Sequence, residues 1–511
     1  MNWIKKNKLE ITIFLLIILL SAFFRFYRID EYMTFLGDEG RDALVIKKIL
    51  TEFDFPLLGA PTSVSTSVGN MYNGPLYYYM MAVSMIPLWL NPVGAAGMVA
   101  LIGVATVGLI YYLTRSWFGK QAAIIASLLY ALSPINIIYS RSSWNPNPAP
   151  FFALLAICGL YKSHQTKNYL WMIVTGIAVA FAVQMHFLAL ILIPIAGIIW
   201  LNELREKING KLQIKNFWKG FVLSIAAFLF LMSPLAIYDF KYDFQNYRAF
   251  ETFFFGDRAT TINLNPLNSL GRTVPIYSGN LVNRYLAGEQ YLLMILLSIL
   301  ILIPVLSVIY KLLKKEKINW PIFALSVWLI VGVLGLALYK GNIYDHYSSF
   351  LSPVLFILFA TNIHLINSLD SKKLNQVIRG FFLLLVLILV IANLQKNPLQ
   401  DPPNRQLYKT QEIAKFVINE SGEKPFNFAL IAKSNYDAAY QFYLDMYNHK
   451  PVKLPDKTEQ LFVVCEDLEC NPINNPKYEI SGFGWVMIDY VKDYNGVKVF
   501  RLVHNPDEEK I

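Results

Sequence analysis

Charged side chains are scarce in this 511-residue sequence: 16% of the residues are Asp, Glu, Lys or Arg, whereas 55% are hydrophobic. Soluble globular domains carry about 25% charged residues, so this composition excludes an ordinary soluble enzyme. Nucleic-acid-binding motifs are absent too, and the net charge of +10 is spread over short basic clusters between apolar segments. We therefore expect no nucleic-acid partner. Apolar runs near the length needed to cross a bilayer recur from Ile11 to Asn393, which predicts a polytopic α-helical membrane protein in contact with membrane lipid.

Long hydrophobic runs are missing from residues 395–511, which predicts a domain boundary. We expect a membrane domain at 1–394 and a separate domain at 395–511. The second domain alternates helix-like and strand-like stretches, the pattern of a small α/β domain. It has no nucleophile elbow, phosphate loop or metal motif, so acceptor recognition or a lid is its expected role by elimination. The predicted stretches are Gln411–Asn419, Phe426–Ala432, Tyr436–Tyr447, Leu461–Cys465, Gly484–Tyr490 and Val497–Val503.

Cysteine is also scarce, with three residues in the whole chain. Cys158 lies in a predicted span, where we expect it to act as a small apolar side chain. Cys465 and Cys470 are close together after a strand-like stretch, and the sequence has no second Cys or His pair nearby that would complete a zinc site. A loop-closing disulfide is the expected pairing, and it fits an oxidising, external compartment.

Basic residues predict the orientation, because Lys and Arg concentrate in cytoplasmic loops. Met1–Lys8 is basic, and the apolar run after it continues into Arg25–Arg28 without a cleavage site, which favours a retained signal anchor with a cytoplasmic amino terminus. Pro75–Leu90 is ambiguous: only if it lies at the membrane surface do nearly all basic clusters face the cytoplasm. We therefore predict a cell-membrane location, a first external loop at 25–92 with an interfacial helix at 75–90, and an extracytoplasmic carboxy-terminal domain. The eleven predicted spans are 9–26, 93–113, 121–138, 149–161, 169–185, 187–201, 219–238, 290–310, 320–338, 349–367 and 380–394.

An acidic cluster, Gly37–Asp42, follows the first predicted span. Its Asp38 and Glu39 precede the helical pattern Ala43–Leu50, so we expect them in the first helical turn, where the helix dipole favours carboxylates. Two interpretations stay open. Either Asp38 caps the helix, or it is a general base that lies at the membrane surface because its substrate is a lipid.

Several segments of the first half of the chain form a recognisable set. They are the Asp38-Glu39 pair, Pro75-Leu76-Tyr77-Tyr78, Leu113-Thr114-Arg115-Ser116-Trp117-Phe118-Gly119-Lys120 and Leu132-Ser133-Pro134. Over about Ile11–Tyr242 the sequence resembles polytopic glycosyltransferases of the GT-C fold, and in particular glycosyltransferase family 39. The likeness is strongest to the protein O-mannosyltransferases and to the aminoarabinose transferase of lipid A. The resemblance implies that Asp38 is the catalytic base and that the donor is a polyprenyl-phosphate sugar used on the outer face. Glu39 would then orient the acceptor or hold a water or ion.

The second outer loop, 139–150, departs from the family pattern. Many relatives place an Asp here, which in some helps to bind a divalent cation, whereas this chain offers Asn145 and Asn147. A neutral amide can donate to a sugar hydroxyl or a phosphate but is a poorer partner for a dication. No cofactor is therefore predicted, and a divalent cation stays open as an alternative. Arg141 either clamps a phosphate or snorkels from a helix end.

Further polar side chains in the predicted outer loops are candidates for binding the donor phosphate or sugar. Histidines at helix junctions are commonly packing residues, and mixed charge with aromatics also serves as interfacial anchoring, so these structural alternatives stay open. Polar groups at the mouth of a span are costly if they face lipid and inexpensive if they face a substrate cavity. The candidates are His186, Lys241, Arg248, Arg258, His346 and Tyr347.

These features predict an inverting glycosyltransferase, in which an acceptor hydroxyl on a protein, lipid or glycan attacks the sugar of a polyprenyl-phosphate donor while Asp38 takes the proton. The alternative is a flippase or other transporter of lipid-linked glycans that breaks no bond. A transporter would carry ionisable groups in the centres of its spans, whereas the predicted spans are almost free of them. A sugar-transfer reaction at the outer membrane surface is therefore favoured over transport of a lipid-linked glycan across the membrane.

Overall fold

The computed structural model describes residues 7–208, 214–255, 266–467, 469–494 and 496–505, so Arg258 lies outside the described residues. Helices dominate the fold. In chain order they are α1 Lys8–Phe26, α2 Ile29–Tyr32, α3 Gly37–Glu52, α4 Leu76–Met85, α5 Val93–Phe118, α6 Lys120–Leu132, α7 Pro134–Tyr139, α8 Ala149–Thr166, α9 Trp171–Met185, α10 Leu192–Ile208, α11 Ile214–Lys241, α12 Gln245–Phe255, α13 Pro266–Val274, α14 Tyr291–Leu313, α15 Trp320–Leu338, α16 Asp345–Ser348, α17 Ser352–Asn367, α18 Lys372–Gln395, α19 Gln406–Ser421, α20 Ala438–Met446 and α21 Tyr478–Ser481.

Strands and tighter helical turns complete the fold. The strands are β1 Pro61–Thr66, β2 Gly69–Tyr72, β3 Asn427–Ile431, β4 Gln460–Cys465, β5 Val486–Tyr494 and β6 Val497–His504. Tighter 3₁₀ turns occur at Ile86–Leu88, Phe187–Ile191, Ser349–Leu351 and Pro398–Gln400, and a π-helical segment occupies Pro275–Leu286.

Long apolar helices make this a multi-pass membrane protein, as the sequence predicted. Among the described residues, seven helices are long and apolar enough to cross a bilayer. They are α1, α5, α11, α14, α15, the segment Asp345–Asn367 that contains α17, and the segment Lys372–Gln400 that contains α18.

Shorter helices occupy the other four predicted spans. The segments 121–138, 149–161, 169–185 and 187–201 correspond to α6 with α7, to α8, to α9 and to the turn Phe187–Ile191 with α10. The first of these breaks at Ser133 because Pro134 has no backbone N–H for a continuing helix and instead starts α7. The predicted number of eleven spans therefore goes beyond the seven that length and composition support, and it stays a prediction.

The predicted interfacial segment 75–90 forms α4, which has 10 residues, and a 3₁₀ turn of three residues. At about 1.5 Å of rise per residue, α4 covers about 15 Å, roughly half of the hydrocarbon thickness. The turn ends at Trp89, whose side chain is 90% exposed. This length favours a helix that does not span the membrane.

The chain divides into two compact units. We call residues 1–27, 56–81 and 96–402 the membrane unit, and residues 28–55, 82–95 and 403–511 the tail unit. The predicted boundary at 394–395 assigned the whole first loop to the membrane domain. In the structure, Arg28–Phe55 and Ala82–Ala95 belong to the same compact unit as the tail.

The core of the membrane unit surrounds α17. Every residue of this helix from Ser352 to Ile363 is buried, and Asn362 donates a hydrogen bond to the carbonyl of Leu300, 3.0 Å away. In α11, by contrast, the buried residues are Phe217 and Gly220. A helix that is apolar and exposed on most of its surface is typical of the lipid-facing periphery of a membrane protein.

The tail unit contains a mixed four-stranded sheet within the described residues, with strand order β3-β4-β6-β5. Strands β3 and β4 are parallel, so the chain crosses over between them through α20, and the remaining pairs are antiparallel. All six residues of the inner strand β4 are buried. The predicted small α/β domain is confirmed, and Cys465 at the end of β4 forms the predicted disulfide with Cys470.

Candidate functional site

The acidic cluster starts α3, and Asp38 and Glu39 lie in its first turn, as predicted. The capping contact belongs to Glu39: its Oε2 accepts a hydrogen bond from the Leu36 N–H at 3.0 Å, and the residue is 6% exposed. This is the contact that a Glu three residues after the N-cap commonly makes. Glu39 therefore makes the helix-capping contact that the sequence analysis considered for Asp38.

Asp38 makes different contacts. Its Oδ1 accepts hydrogen bonds from Arg41 Nη1 and from the Tyr436 hydroxyl, both at 2.8 Å. Arg41 is itself fixed, because its Nε and Nη2 donate to Asp42 Oδ1 at 2.9 and 2.8 Å. Within the described part of the chain, Asp38 Oδ2 has no hydrogen-bond partner, and the side chain is 40% exposed. A carboxylate held at one oxygen and open at the other can accept a proton from a substrate.

The helix that carries Asp38 packs against residues of the carboxy-terminal domain. Helix α3 packs against α20, and Phe35, just before α3, places its ring 5.9 Å from that of Phe442. Lys47 of α3 forms an ion pair with Asp445 of α20 at 2.6 Å. Sequence reasoning missed Tyr436, because no motif links it to Asp38 across a separation of 398 residues.

In the membrane unit, three predicted site residues from two predicted outer loops come together. The ring of Tyr347 lies 4.7 Å from that of His186 and 4.5 Å from that of His346. Trp144, from the second predicted outer loop, lies 4.2 Å from His346. We call His186, His346 and Tyr347 the histidine cluster.

His186 is a neutral member of this cluster. Its Nδ1 accepts a hydrogen bond from the Leu188 N–H at 3.3 Å, so the neutral ring carries its proton on Nε2. Burial, with a smaller contribution from the nearby His346, lowers the pKa of His186 to about 3. Near neutral pH this side chain can therefore donate a hydrogen bond but brings no positive charge to a phosphate.

An ion pair holds the chain at the histidine cluster. Arg284 donates to both carboxylate oxygens of Asp345, with Nε–Oδ1 at 3.1 Å and Nη2–Oδ2 at 2.6 Å. The Tyr285 hydroxyl also donates to the Asp345 carbonyl at 2.7 Å. Asp345 thus binds the π-helical segment Pro275–Leu286. This contact fixes the position of its sequence neighbours His346 and Tyr347. The sequence gave no sign that Arg284 and Asp345, 61 residues apart, are partners.

Arg141 is directed at a helix end. Its Nη1 and Nη2 donate to the carbonyls of Phe24 and Tyr27, each at 2.7 Å, and the residue is 3% exposed. The last carbonyls of a helix have no partner within the helix, and a cation there is favoured by the helix dipole. These contacts at the end of α1 agree with the structural alternative for Arg141, and its phosphate-binding role stays a prediction.

The two asparagines of the second loop also bind backbone carbonyls. Asn145 Nδ2 donates to Met185 at 2.7 Å, and Asn147 Nδ2 donates to Ser142 at 2.8 Å. Across the described residues, no group of three or more His, Cys, Asp or Glu side chains is placed to hold a metal ion. Amides committed to carbonyls are a poor fit for a divalent cation, so no step of the chemistry is assigned to one.

The predicted cations at the end of α11 and on α12 are exposed. Lys241 lies 5.3 Å from the centre of the Tyr242 ring, and Arg248 follows in the first turn of α12. Their phosphate-binding roles stay predictions, as does that of Arg258.

An apolar cavity of about 630 Å³ adjoins the histidine cluster. It is lined by Phe187, which follows His186, and by Tyr339, whose ring lies 6.0 Å from that of Tyr347. Other lining residues include Leu188, Phe253, Val331 and Leu334. The surroundings suit a long hydrocarbon chain with a polar head near the histidines.

Two cations beside this cavity were missed. Arg272 donates to the carbonyls of Tyr339 and Gly341, the second at 2.6 Å, and Lys340 is the exposed residue between them. Both lie in predicted outer loops, so the topology contained the signal that would have identified them.

Comparisons with known proteins point to one family. Residues 15–248 match the family described as dolichyl-phosphate-mannose-protein mannosyltransferase. A putative mannosyltransferase, YkcB of Bacillus subtilis, is 28% identical over 169 residues, which cover 33% of this chain and 23% of that protein. The matched region thus spans less than a quarter of the length of this curated relative.

Solved structures with the same fold cover the whole chain. ArnT from Cupriavidus metallidurans, bound to undecaprenyl phosphate, superimposes with a TM-score of 0.59 and 14% identity over 98% of both chains. The oligosaccharyltransferase AglB from Archaeoglobus fulgidus, in complex with an inhibitory peptide and a dolichol-phosphate, gives a TM-score of 0.56 and 15% identity over 100% of this chain and 75% of AglB. At these identities the likeness establishes the fold. The fold is thus GT-C-like, and residues 15–248 are similar to the dolichyl-phosphate-mannose-protein mannosyltransferase family.

Proposed function

We propose that this protein is an inverting membrane glycosyltransferase that moves a sugar from a polyprenyl-phosphate donor to a hydroxyl group on a protein, lipid or glycan. The observation that carries the proposal is the Asp38 carboxylate, which is held at Oδ1 and open at Oδ2. The similarity of residues 15–248 to the mannosyltransferase family supports the reaction class. The undecaprenyl and dolichol phosphates bound to relatives of the same fold support the type of donor.

The donor lipid is proposed to lie in the apolar cavity, with its phosphate or sugar near the histidine cluster. Phe187 and Leu334 are among the cavity residues that would contact an isoprenoid chain. His186 would donate a hydrogen bond from Nε2 to an oxygen of the donor. Lys241, Arg248 and Arg258 keep their proposed role in stabilising the charge of the departing phosphate, joined by Lys340.

The chemical step uses Asp38 as general base. The acceptor oxygen attacks the anomeric carbon from the face opposite the phosphate, the bond between that carbon and the phosphate oxygen breaks, and Asp38 Oδ2 receives the hydroxyl proton. The products are the glycosylated acceptor and the polyprenyl phosphate. Because a carboxylate is a weak base, it takes the proton late, as the attacking oxygen loses electron density. Glu39 caps the start of this helix, and its proposed role remains to orient the acceptor or to hold a water or ion.

Purified protein tests the reaction directly. With a long-chain polyprenyl-phosphate sugar it should release polyprenyl phosphate and form a product of inverted anomeric configuration, detected by mass spectrometry and NMR. A short-chain donor with the same sugar should give a kcat/KM at least about 10-fold lower, because each buried methylene contributes about 0.8 kcal/mol. The matching nucleotide sugar is the control and should not be consumed. Movement of labelled donor across vesicles without cleavage would instead support the flippase.

The proposed orientation places the amino terminus in the cytoplasm, the tail outside and eleven segments across the membrane. The disulfide between Cys465 and Cys470 supports an oxidising location for the tail. A reporter fused after Ile511 should be accessible outside the cell membrane, and one inserted at Gly210 should be accessible only inside. Accessibility of the tail reporter from the cytoplasm would refute this topology.

A further inference from the structure

We infer that Asn435 and Tyr436, between β3 and α20, are positioning residues for Asp38: Asn435 fixes the start of α3, and Tyr436 holds one carboxylate oxygen so that the other faces the acceptor. The inference rests on the proposed role of Asp38 as base. It assigns the tail a part in the reaction itself, beyond the acceptor recognition or lid expected by elimination.

Asn435 anchors the helix start. The first N–H groups of a helix have no partner within the helix, and Gly37 N–H, one residue before Asp38, donates to Asn435 Oδ1 at 2.8 Å. The amide of Asn435 is itself held, because its Nδ2 donates to both carboxylate oxygens of Glu466 at 3.1 and 2.9 Å. These hydrogen bonds, to Glu466 on one side and from Gly37 on the other, hold the Asn435 side chain in a single orientation.

Glu466 is attached to the sheet of the tail. It directly follows Cys465 of β4, its N–H donates to the Ile431 carbonyl at 3.0 Å, and its Oε1 accepts from the Tyr440 hydroxyl at 2.7 Å. The disulfide to Cys470 closes the short loop that Glu466 opens. The start of α3 is thus connected, through Asn435 and Glu466, to the buried strand β4.

Tyr436 sets the carboxylate itself. Its hydroxyl donates to Asp38 Oδ1 at 2.8 Å, and burial raises the pKa of Tyr436 well above its usual value, so the phenol keeps its proton. The ring covers Gly37 so closely that a Cβ built there would lie 2.4 Å from Tyr436 Cδ1. Backbone and ring therefore fix each other, and the hydrogen bond from the Tyr436 hydroxyl restrains rotation of the Asp38 carboxylate.

Tyr436→Phe tests the inference, because it keeps the ring and removes only the hydroxyl. We expect kcat for sugar transfer to fall about 10-fold, as for one lost hydrogen bond to a charged group, with a smaller change in the KM of the donor. A contact that only supports folding would lower thermal stability and protein yield, whereas a positioning contact lowers kcat while stability and donor KM stay near wild type.

Two further variants complete the test. Tyr490→Phe is the matched control, since the Tyr490 hydroxyl donates to Glu420, and it should leave both kcat and the KM of the donor unchanged. Asn435→Ala should also lower kcat, because it removes the acceptor of the Gly37 N–H at the start of α3. Wild-type kcat in Tyr436→Phe would overturn the inference while leaving the proposed function intact if Asp38→Asn is inactive. An active Asp38→Asn protein would remove the base assignment and the inference together.

Discussion

Asp38→Asn should lower the rate of sugar transfer by about 10²–10⁴-fold, the range typical of a lost general base. Asn has nearly the same size and can still accept hydrogen bonds at Oδ1 from Arg41 and Tyr436, but it cannot take the acceptor proton. Protein yield, thermal stability and binding of the polyprenyl-phosphate donor should therefore stay near wild type. The measurement is single-turnover transfer with purified protein, with donor binding followed separately.

Glu39→Gln is the matched control for this substitution. Gln keeps an oxygen that can accept from the Leu36 N–H, so the capping contact persists and the loss of activity should be much smaller. If Asp38 only supported the helix, Asp38→Asn would be nearly silent, because Asn serves at helix starts about as well as Asp. A wild-type rate in Asp38→Asn would exclude Asp38 from the mechanism.

Much of the fold was predictable where one local pattern determines the element. The apolar run at 461–465 is inside β4, and the mixed pattern at 411–419 is inside α19, because short buried strands and amphipathic helices carry their periodicity in the sequence. The long spans were predictable for the same reason. Less predictable were 121–138 and 187–201, where apolar composition continues across a break at Ser133 and a 3₁₀ turn after His186. Hydropathy does not distinguish such breaks from continuous helices.

The sequence predicted individual residues of the candidate site but not the contacts between them. The pattern before Ala43 correctly places Asp38 in the first turn of α3, because that depends on neighbours in sequence. It left open whether Asp38 caps the helix, and in the structure the capping contact is made by Glu39. Tyr436 could not be found at all: its hydrogen bond to Asp38 arises from the packing of α3 on α20, which no local signal encodes.

Gly40→Ala should disrupt the site without touching any ionisable group. A Cβ at Gly40 would lie 2.2 Å from the Ala439 nitrogen and 2.3 Å from its Cα, and both are backbone atoms of α20 that cannot rotate away. Helix α3 would have to move from α20, which weakens the ring contact of Phe35 and breaks the bond between Asp38 and Tyr436. We expect a loss of about 1–3 kcal/mol or more in stability from overpacking. Transfer should fall at least about 10-fold, as for loss of the Tyr436 bond alone.

Gly380→Ala is the control for Gly40→Ala, because Gly380 is also in a helix but a Cβ there meets no atom within 4 Å. Ala is the better helix former by about 1 kcal/mol, so this variant should be neutral or slightly stabilised and fully active. Thermal unfolding and transfer rate, measured on both proteins, separate placement from chemistry: Asp38→Asn should lose activity at unchanged stability, whereas Gly40→Ala should lose both. Wild-type stability and activity in Gly40→Ala would mean that the close contact between α3 and α20 does not hold Asp38 in place, and the role inferred for the tail would fall with it.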